Sequence, residues 1–342
     1  MIKITTTNRC IAYITTFLLV VFLCISPSLA QETECYIQKY QSDFSLKFNS
    51  SYHLSSFTYN LNSEEERYNY FPNSVVKVGI GASWKGLSVS WGYGFDLIKN
   101  GQKGDTKSSD LQFNYHGKHF IFETFAQKYN GFYMGKTLED IIESDVPTVR
   151  PDIELIKYGL FGQYVFNGDK FSYRAPFGQK ERQLRSAGSF QVGMGFYYTE
   201  AKADSSLHPI NQVNESVNLK DIQFGPNFGY SYTWVLNRFF VTTSLSIGAN
   251  IASLHTNNVK YPNKFSPSIY PRCYGGYNAN DWSINLSYTN NWILISSAED
   301  NARIEVNTGR AELTFVKRFY LNFRPKVLDK VSPNILKIVG FD

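Results

Sequence analysis

Two side chains in this sequence, His53 and Ser55, have the types and the spacing of a catalytic pair. In an extended strand, residues i and i+2 point to the same face, so the imidazole and the hydroxyl would lie side by side. An imidazole that accepts the hydroxyl proton turns serine into a nucleophile that attacks esters. The pair therefore indicates a lipid esterase or deacylase as one candidate activity.

The strand that must position this pair argues against that activity. Its opposite face carries five apolar residues, Phe44, Leu46, Phe48, Tyr52 and Leu54. If that face meets lipid, His53 and Ser55 point away from a lipid substrate, unless a β-bulge near Ser50 reverses the alternation. We therefore expect no enzyme and keep the esterase as an alternative.

No other catalytic or cofactor motif occurs in the sequence. A phosphate-binding loop, a zinc-ligand pattern and a nucleophile elbow are all missing, and the five histidines are not spaced as a ligand pair on a helix. The net charge of +5, from 34 basic and 29 acidic residues, is too small to indicate a nucleic-acid partner. We expect no cofactor, no metal and no nucleic acid.

The first thirty residues have the pattern of a secretory signal peptide. Lys3 and Arg9 precede an apolar stretch that ends in small residues, and cleavage is expected near Ala30. The apolar stretch is short for a membrane anchor. Beyond it, Cys35 and Cys273 are too few for a disulfide framework, and the sequence leaves open whether they pair.

The rest of the chain is dominated by alternation with a period of two. Between Gln223 and Trp234, aromatic residues and Pro226 alternate with small and polar ones, as in a strand with one apolar face. The pattern recurs along the chain and predicts twelve strands, with ten as a lower count. The predicted strands are 43–59, 74–83, 87–97, 110–116, 119–131, 155–166, 186–199, 222–235, 239–254, 267–278, 282–297 and 303–317.

The connections between these strands alternate in length. Short turns at 84–86, 117–118, 236–238 and 279–281 are separated by longer polar loops. Long one-sided strands, even in number, with short turns at one end and long loops at the other, are typical of barrels that cross the outer membrane. The sequence therefore predicts an all-β, transmembrane, antiparallel up-and-down β-barrel in a Gram-negative outer membrane. A soluble periplasmic β-sandwich is the alternative.

In such a barrel the polar face of each strand lines the lumen. Twelve strands lie between barrels filled by their own side chains and water-filled porins, so we expect a narrow or plugged barrel with a pore, binding or structural role. The expected partners are outer-membrane lipid, lipopolysaccharide and small solutes in the lumen. Mixed charges favour salt bridges across the lumen. The inward-facing candidates are Lys47, Asn49, Lys77, Asp96, Glu123, Lys157, Gln163, Arg310 and Glu312.

One connection, 167–185, breaks the alternation, because its place in the order calls for a short turn. It is long and basic, with Arg174, Arg182 and Arg185, and the sequence leaves open whether it folds into the barrel or lies beneath it. The expected organisation is a signal peptide at 1–30, a periplasmic segment at 31–42, the barrel at 43–318, and a tail or extra strand at 319–342.

Several short motifs carry a family resemblance. They are Tyr70-Phe71-Pro72-Asn73, Gly79-Ile80-Gly81, Trp84-Lys85-Gly86-Leu87, Lys170-Phe171-Ser172-Tyr173-Arg174-Ala175, Gln183 and Ser186-Ala187-Gly188-Ser189-Phe190. In these motifs, and over nearly all of the mature chain, the sequence resembles the domain-of-unknown-function family 4421 of Gram-negative exported proteins. The resemblance implies an outer-membrane-type barrel of similar length and supplies no catalytic residues.

Overall fold

The fold is described from a computed structural model that covers residues 35–40, 44–61, 67–73, 76–84, 87–94, 101–135, 148–207, 216–257, 259–296 and 302–319. Several positions singled out in the sequence lie outside these residues: Ala30, Lys85, Gly86, Asp96 and the segment 320–342. Signal-peptide cleavage and the nature of the C-terminal segment therefore stay predictions.

The described residues form sixteen β-strands. In chain order they are β1 (Ile37–Lys39), β2 (Phe44–Leu61), β3 (Arg67–Phe71), β4 (Val76–Trp84), β5 (Leu87–Gly94), β6 (Lys107–His116), β7 (Phe120–Gly135), β8 (Thr148–Val165), β9 (Glu181–Gln183), β10 (Ala187–Ala203), β11 (Val217–Leu236), β12 (Phe239–Thr256), β13 (Val259–Lys260), β14 (Lys264–Asn278), β15 (Trp282–Ser296) and β16 (Ala302–Phe319).

Twelve of these strands form a closed antiparallel ring. Its order is β2, β4, β5, β6, β7, β8, β10, β11, β12, β14, β15, β16, and the last strand pairs with the first from Phe44–Phe319 to Leu61–Ala302. Closure joins the two edges of the sheet, so the backbone groups of both edges find partners. The predicted up-and-down barrel is confirmed with twelve strands, and the lower count of ten is wrong.

Side chains alternate across the barrel wall. Along β12, Thr242 and Ser244 are buried inside the barrel, whereas Val241 and Leu245 are exposed on the outside. The same division holds along β5, β10, β11 and β15. A soluble sheet buries its apolar face against a core, and here that face forms the outer surface. The polar faces therefore line the lumen.

The two ends of the barrel differ in their connections. At one end, the short-turn end, two-residue or three-residue turns join most strand pairs, and β2 begins and β16 ends there. In one of these turns Asn237 has a φ of 56°, the left-handed conformation that asparagine tolerates better than most residues. The opposite end carries the longer connections and is the long-loop end.

The strand β3 was not predicted, since residues 60–73 were expected to form a loop. It pairs with both β2 and β7. The strands between those two, β4, β5 and β6, are only 9, 8 and 10 residues long, whereas β2 has 18 and β7 has 16. Thus β3 completes the wall where its neighbours end, and the loop prediction is wrong there.

Other strands also continue into predicted loops. Strands β7 and β8 take up part of the predicted loop 132–154, and β10 and β11 take up part of the predicted loop 200–221. Regular pairing with a neighbouring strand extends these strands beyond the alternating sequence pattern. These two connections, expected to be polar loops because they lie between predicted strands, are therefore partly wall.

Helical structure is limited to a 3-10 turn at Gly101–Lys103 and a π-helical turn at Arg174–Gly178 in the described chain. None of the helices among the described residues has the length and apolar character to cross a membrane. Cys273 lies on the outer face of β14 as a free thiol, so it forms no disulfide with Cys35.

Candidate functional site

The barrel lumen is the candidate site, because it collects the buried charged side chains. Of the sequence-selected residues, Lys77, Lys157 and Gln163 are buried within it, with 3%, 1% and 4% of their surface exposed. Gln163 donates to Asn227 Oδ1 at 2.6 Å. Five others line a cavity of about 150 Å³: Lys47, Asn49, Glu123, Arg310 and Glu312. The ninth candidate, Asp96, lies outside the described residues.

The strongest charge pair of the lumen joins β7 to β14 across the barrel. The Glu123 carboxylate accepts two contacts from the Arg272 guanidinium, at 2.8 and 3.2 Å. His116 Nε2 lies 2.9 Å from the same carboxylate. The sequence reading missed Arg272, although it shares the inward parity of Ser266 and Ser268 on β14.

Two further links cross the lumen to β16. Arg310 lies 3.6 Å from Glu312 and 4.0 Å from Asp110 on β6. The Lys157 ammonium on β8 donates to the Thr308 hydroxyl at 2.5 Å, and β8 stands opposite β16 in the ring. Side chains anchored on opposite walls therefore fill the middle of the barrel.

The pair His53 and Ser55 points into the lumen. Both residues are buried there, and β2 pairs with β16 without a register shift, so no bulge reverses the alternation at Ser50. The imidazole contacts Ser51 Oγ at 3.4 Å through Nε2 and the Tyr129 hydroxyl at 3.3 Å through Nδ1. The lipid-facing side of β2 carries Leu54 and its apolar neighbours instead.

Residues 167–185, the lumen plug, close the short-turn end. Phe171 and Tyr173 are buried, and the Tyr173 ring stacks on Phe177 with centroids 4.0 Å apart. Phe177 packs edge-on against Tyr274 of β14 at 4.6 Å. The Tyr173 hydroxyl accepts a hydrogen bond from Arg272 at 2.8 Å. The segment left open by the sequence thus folds into the barrel mouth.

Polar contacts fix the plug to itself and to the wall. Arg174 donates to the His116 carbonyl at 2.6 Å and to Glu181 at 3.2 Å, and the Ser172 hydroxyl donates to Glu181 at 2.6 Å. Lys180 donates to the Ser83 carbonyl of β4 at 2.9 Å. Strand β9 of the plug pairs with β1, so the segment just before the barrel is part of the closure.

An apolar cluster, which we call the upper cluster, fills the lumen toward the long-loop end. Its residues come from nearly every long strand, from β3 and from the segment after β10. They are Phe57, Tyr70, Tyr129, Phe132, Ile153, Leu155, Ala201, Ala203, Leu207, Leu219, Leu254, Ile295, Ile304 and Val306. The polar part of the lumen is therefore bounded by the plug on one side and by the upper cluster on the other.

The motif residues Pro72 and Asn73 directly follow β3 and are buried. The Asn73 N–H donates to Thr106 Oγ1 at 2.8 Å, and the Thr106 hydroxyl donates to the Gly131 carbonyl at 2.7 Å. Gly131 sits at the register shift of β7 with a φ of 87°. The motif thus ties the end of β3 to the bulge of β7.

The later motif residues belong to the plug and its exit. Gln183 Nε2 donates to the carbonyls of Lys170 and Arg185, at 2.6 and 2.9 Å. Ser186 Oγ accepts from the Val235 N–H at 2.9 Å. A side chain at Gly188 would collide with the Tyr232 ring.

The family model described as Domain of unknown function (DUF4421) matches residues 33–319. This chain belongs to that family. The DUF4421 match begins just before β1 and ends at the last residue of β16, so it contains the whole barrel and the plug. No curated protein matches the sequence.

The DUF4421 barrel is also similar to solved outer-membrane proteins. The outer membrane protease OmpT of Escherichia coli is 8% identical, with 81% of this chain and 96% of that chain covered and a TM-score of 0.40. The toluene transporter TodX of Pseudomonas putida is 7% identical, with 82% and 91% covered and a TM-score of 0.30. The translocator domain of the autotransporter NalP from Neisseria meningitidis is 10% identical, with 92% and 97% covered and a TM-score of 0.39. These similarities concern the barrel fold and do not indicate an activity.

Proposed function

We propose that this protein is an outer-membrane β-barrel with a resident plug and no enzymatic activity, whose closed lumen binds small solutes. The observation that carries the membrane location is the outward-facing apolar surface. Phe228, Ile251 and Leu286 point away from the lumen with 60%, 63% and 63% of their surface exposed. Exposing such an apolar surface to water is unfavourable, whereas contact with lipid acyl chains is not. The same surface argues against a soluble sandwich, in which these residues would form a core.

Aromatic residues on the outer surface support a membrane boundary at the short-turn end. Near the short-turn end, the ring centroid of Trp282 lies 5.5 Å from that of Tyr277 and 6.2 Å from that of Phe315. The ring centroids of Phe239 and Tyr277 are 5.0 Å apart. Amphipathic rings of this kind settle at a membrane–water interface. Outer-membrane barrels have short turns on the periplasmic side and longer loops outside. We therefore place the short-turn end in the periplasm and the long loops outside, with outer-membrane lipid and lipopolysaccharide as the surrounding partners.

The closed lumen supports a binding or structural role over an open pore. The plug, the upper cluster and the cross-lumen pairs leave limited polar space inside the barrel among the described residues, which favours a closed lumen over a continuous channel. Since His53 and Ser55 point into the lumen and not toward lipid, the esterase alternative has no support from their orientation. Exchanging Ser55 for Ala and measuring ester release from labelled outer-membrane lipid tests that alternative directly.

Two measurements on the purified full chain test the proposal. A folded barrel migrates faster than the heated chain in a denaturing gel, and it needs detergent to stay in solution. A folded monomer that dissolves in buffer without detergent would contradict the membrane location.

Conductance in planar bilayers tests the closure. We expect the wild-type barrel to be silent. A variant with 170–184 replaced by a short Gly-Ser linker should stay silent, because the upper cluster still closes the lumen toward the long-loop end, whereas the same variant with Phe57 and Tyr70 also exchanged for Ala should conduct. A variant with only Arg182 exchanged for Ser is the control, since its side chain meets the exposed turn at Asn237. Steady conductance of the wild type would show that the lumen is open.

A further inference from the structure

The polar space between the plug and the upper cluster is a built cavity. Its volume is about 150 Å³, with Phe177 and Gln179 of the plug among its lining residues. The wall around it is polar and includes Asn49, Gln112 and Thr289. Since a water molecule takes about 30 Å³ of liquid, this space holds about five waters or one small polar ligand.

Cationic side chains outnumber carboxylates around this space. A smaller cavity adjoins it and shares His53, Asn49, Gln112 and Arg310 with its lining. Together the two linings contain four cationic groups, Lys47, Lys77, Arg272 and Arg310, and three carboxylates, Asp110, Glu123 and Glu312. The carboxylates are engaged by the two arginines, as described above. The two linings therefore carry one excess positive charge, and the two lysines are the cations in them without a direct salt bridge.

Neither lysine forms a direct salt bridge among the described residues, and the carboxylates whose charge acts on them, Glu312 on Lys47 and Asp110 on Lys77, are already paired with Arg310. The Lys77 ammonium is buried without a hydrogen-bond partner and lies 5.0 Å from the centre of the Tyr129 ring. Lys47 lines the larger cavity and forms no ion pair or hydrogen bond within the described chain. A buried ammonium without a counter-charge is costly, by several kcal/mol in general.

The cavity already contains the groups that recognise an anion. Charge-assisted hydrogen bonds from ammonium and guanidinium groups to oxyanions are roughly twice as strong as neutral ones. The Gln112 amide and the Thr289 hydroxyl line the same space as Lys47 and Arg310. A tetrahedral oxyanion with five heavy atoms is within the size of the cavity.

We propose that the lumen cavity is a binding site for a small oxyanion, with Lys47 as its main anchor and Lys77 as a second cationic contact. The inference rests on the closed lumen proposed above and names the class of solute that this lumen holds. A phosphate ion or a small carboxylate satisfies the same chemistry.

The test is equilibrium binding of inorganic phosphate to the full chain refolded in detergent in its presence, so that the ion is available before the plug closes. Chloride at matched ionic strength is the reference for screening. We expect the wild type to retain one phosphate per barrel, and K47M to bind it about thirtyfold more weakly, as expected when one partner of a buried charge contact is lost. K47R retains the charge and is expected to bind.

Two further variants keep the outcome interpretable. K77M is expected to weaken binding as well and replaces K47M as the test if that variant does not fold. K107M is the matched control, because Lys107 is exposed at the start of β6 and outside both linings, and it should bind as the wild type does.

Competition by acetate distinguishes a carboxylate site from a phosphate site. Binding that chloride abolishes at equal ionic strength, or that persists unchanged in K47M and K77M, would overturn the proposal. A chain that shows no heat-modifiable migration would instead contradict the barrel itself, so the two failures are distinguishable.

Discussion

The side chains inside this barrel are held by a few charge contacts that span its width, and Glu123 is their centre. Its carboxylate is shared by Arg272 and His116, which lie on different strands. Arg272 in turn contacts the plug through Tyr173. One carboxylate therefore couples the wall to the plug.

We expect E123Q to lower the free energy of unfolding by about 3–5 kcal/mol, because it leaves the buried Arg272 guanidinium without its counter-charge. Urea unfolding of the barrel refolded in lipid vesicles measures the change. D169N is the matched control, since Asp169 pairs with Lys118 on the exposed short turn and should change the urea midpoint little. The double variant E123Q/R272M should regain part of the loss. An E123Q midpoint equal to that of D169N would contradict the prediction.

Backbone geometry at Gly131 gives a second prediction at the same scale. Its φ of 87° and the carbonyl oxygen of Asp105, which would lie 2.1 Å from an added Cβ, leave no room for a side chain. We expect G131A to destabilise the barrel by about 1–3 kcal/mol in the same urea assay. G92A is its control, because an added Cβ at Gly92 meets no atom within 4 Å. Equal losses in both variants would refute the strain argument.

Strand parity places a residue inside or outside the barrel, but it does not name the residue's partner. The side to which Lys77 or Lys157 points follows from alternation along one strand. The contact between Glu123 and Arg272 joins residues 149 positions apart and depends on the closure of the ring. Alternation therefore did not single out Arg272, and nothing in the sequence indicated that Lys47 lies beside a cavity.

Among the elements, β3 and the plug are examples that local sequence does not define. Both depend on the barrel wall. Strand β3 pairs with β2 and β7 beyond the ends of the shorter strands β4 to β6. The plug is held by contacts to β4, β6, β14 and β16. The twelve ring strands, by contrast, were found from alternation alone. Their pattern is repeated in every strand, whereas β3 has only five residues.

The position of β3 predicts a large effect of Tyr70. Its ring is fully buried in the upper cluster beside Phe57, with centroids 6.1 Å apart, and its hydroxyl donates to the Leu207 carbonyl. We expect Y70A to cost about 3–5 kcal/mol of unfolding free energy, as for other buried aromatic truncations. Y70F should cost about 1 kcal/mol, the value of one hydrogen bond. Equal costs for the two variants in urea unfolding would show that packing contributes nothing there.

At the scale of the whole molecule, the barrel reverses the usual distribution of polarity, and its stability depends on the solvent that meets its outer face. The number of strands, the closure of the sheet and the two unequal ends could be predicted from the alternation and the loop lengths. A sheet closed without a free edge constrains both the alternation of its strands and the order of its connections. A narrow or plugged barrel was expected from the strand number, but how the plug and β3 fill the lumen was not readable, since this depends on a space that only the folded ring defines.

That reversal predicts a depth-dependent response to a charge on the outer face. Ile247 lies outward at the middle of β12 with 51% of its surface exposed, and Phe239 lies outward at the short-turn end of the same strand. We expect I247R to lower the free energy of unfolding in lipid vesicles by about 2–4 kcal/mol and F239R by at most about 1 kcal/mol, because an arginine near the interface reaches water. If this face met water, arginine would be tolerated equally at both positions, and equal midpoints in urea would refute the membrane-facing assignment.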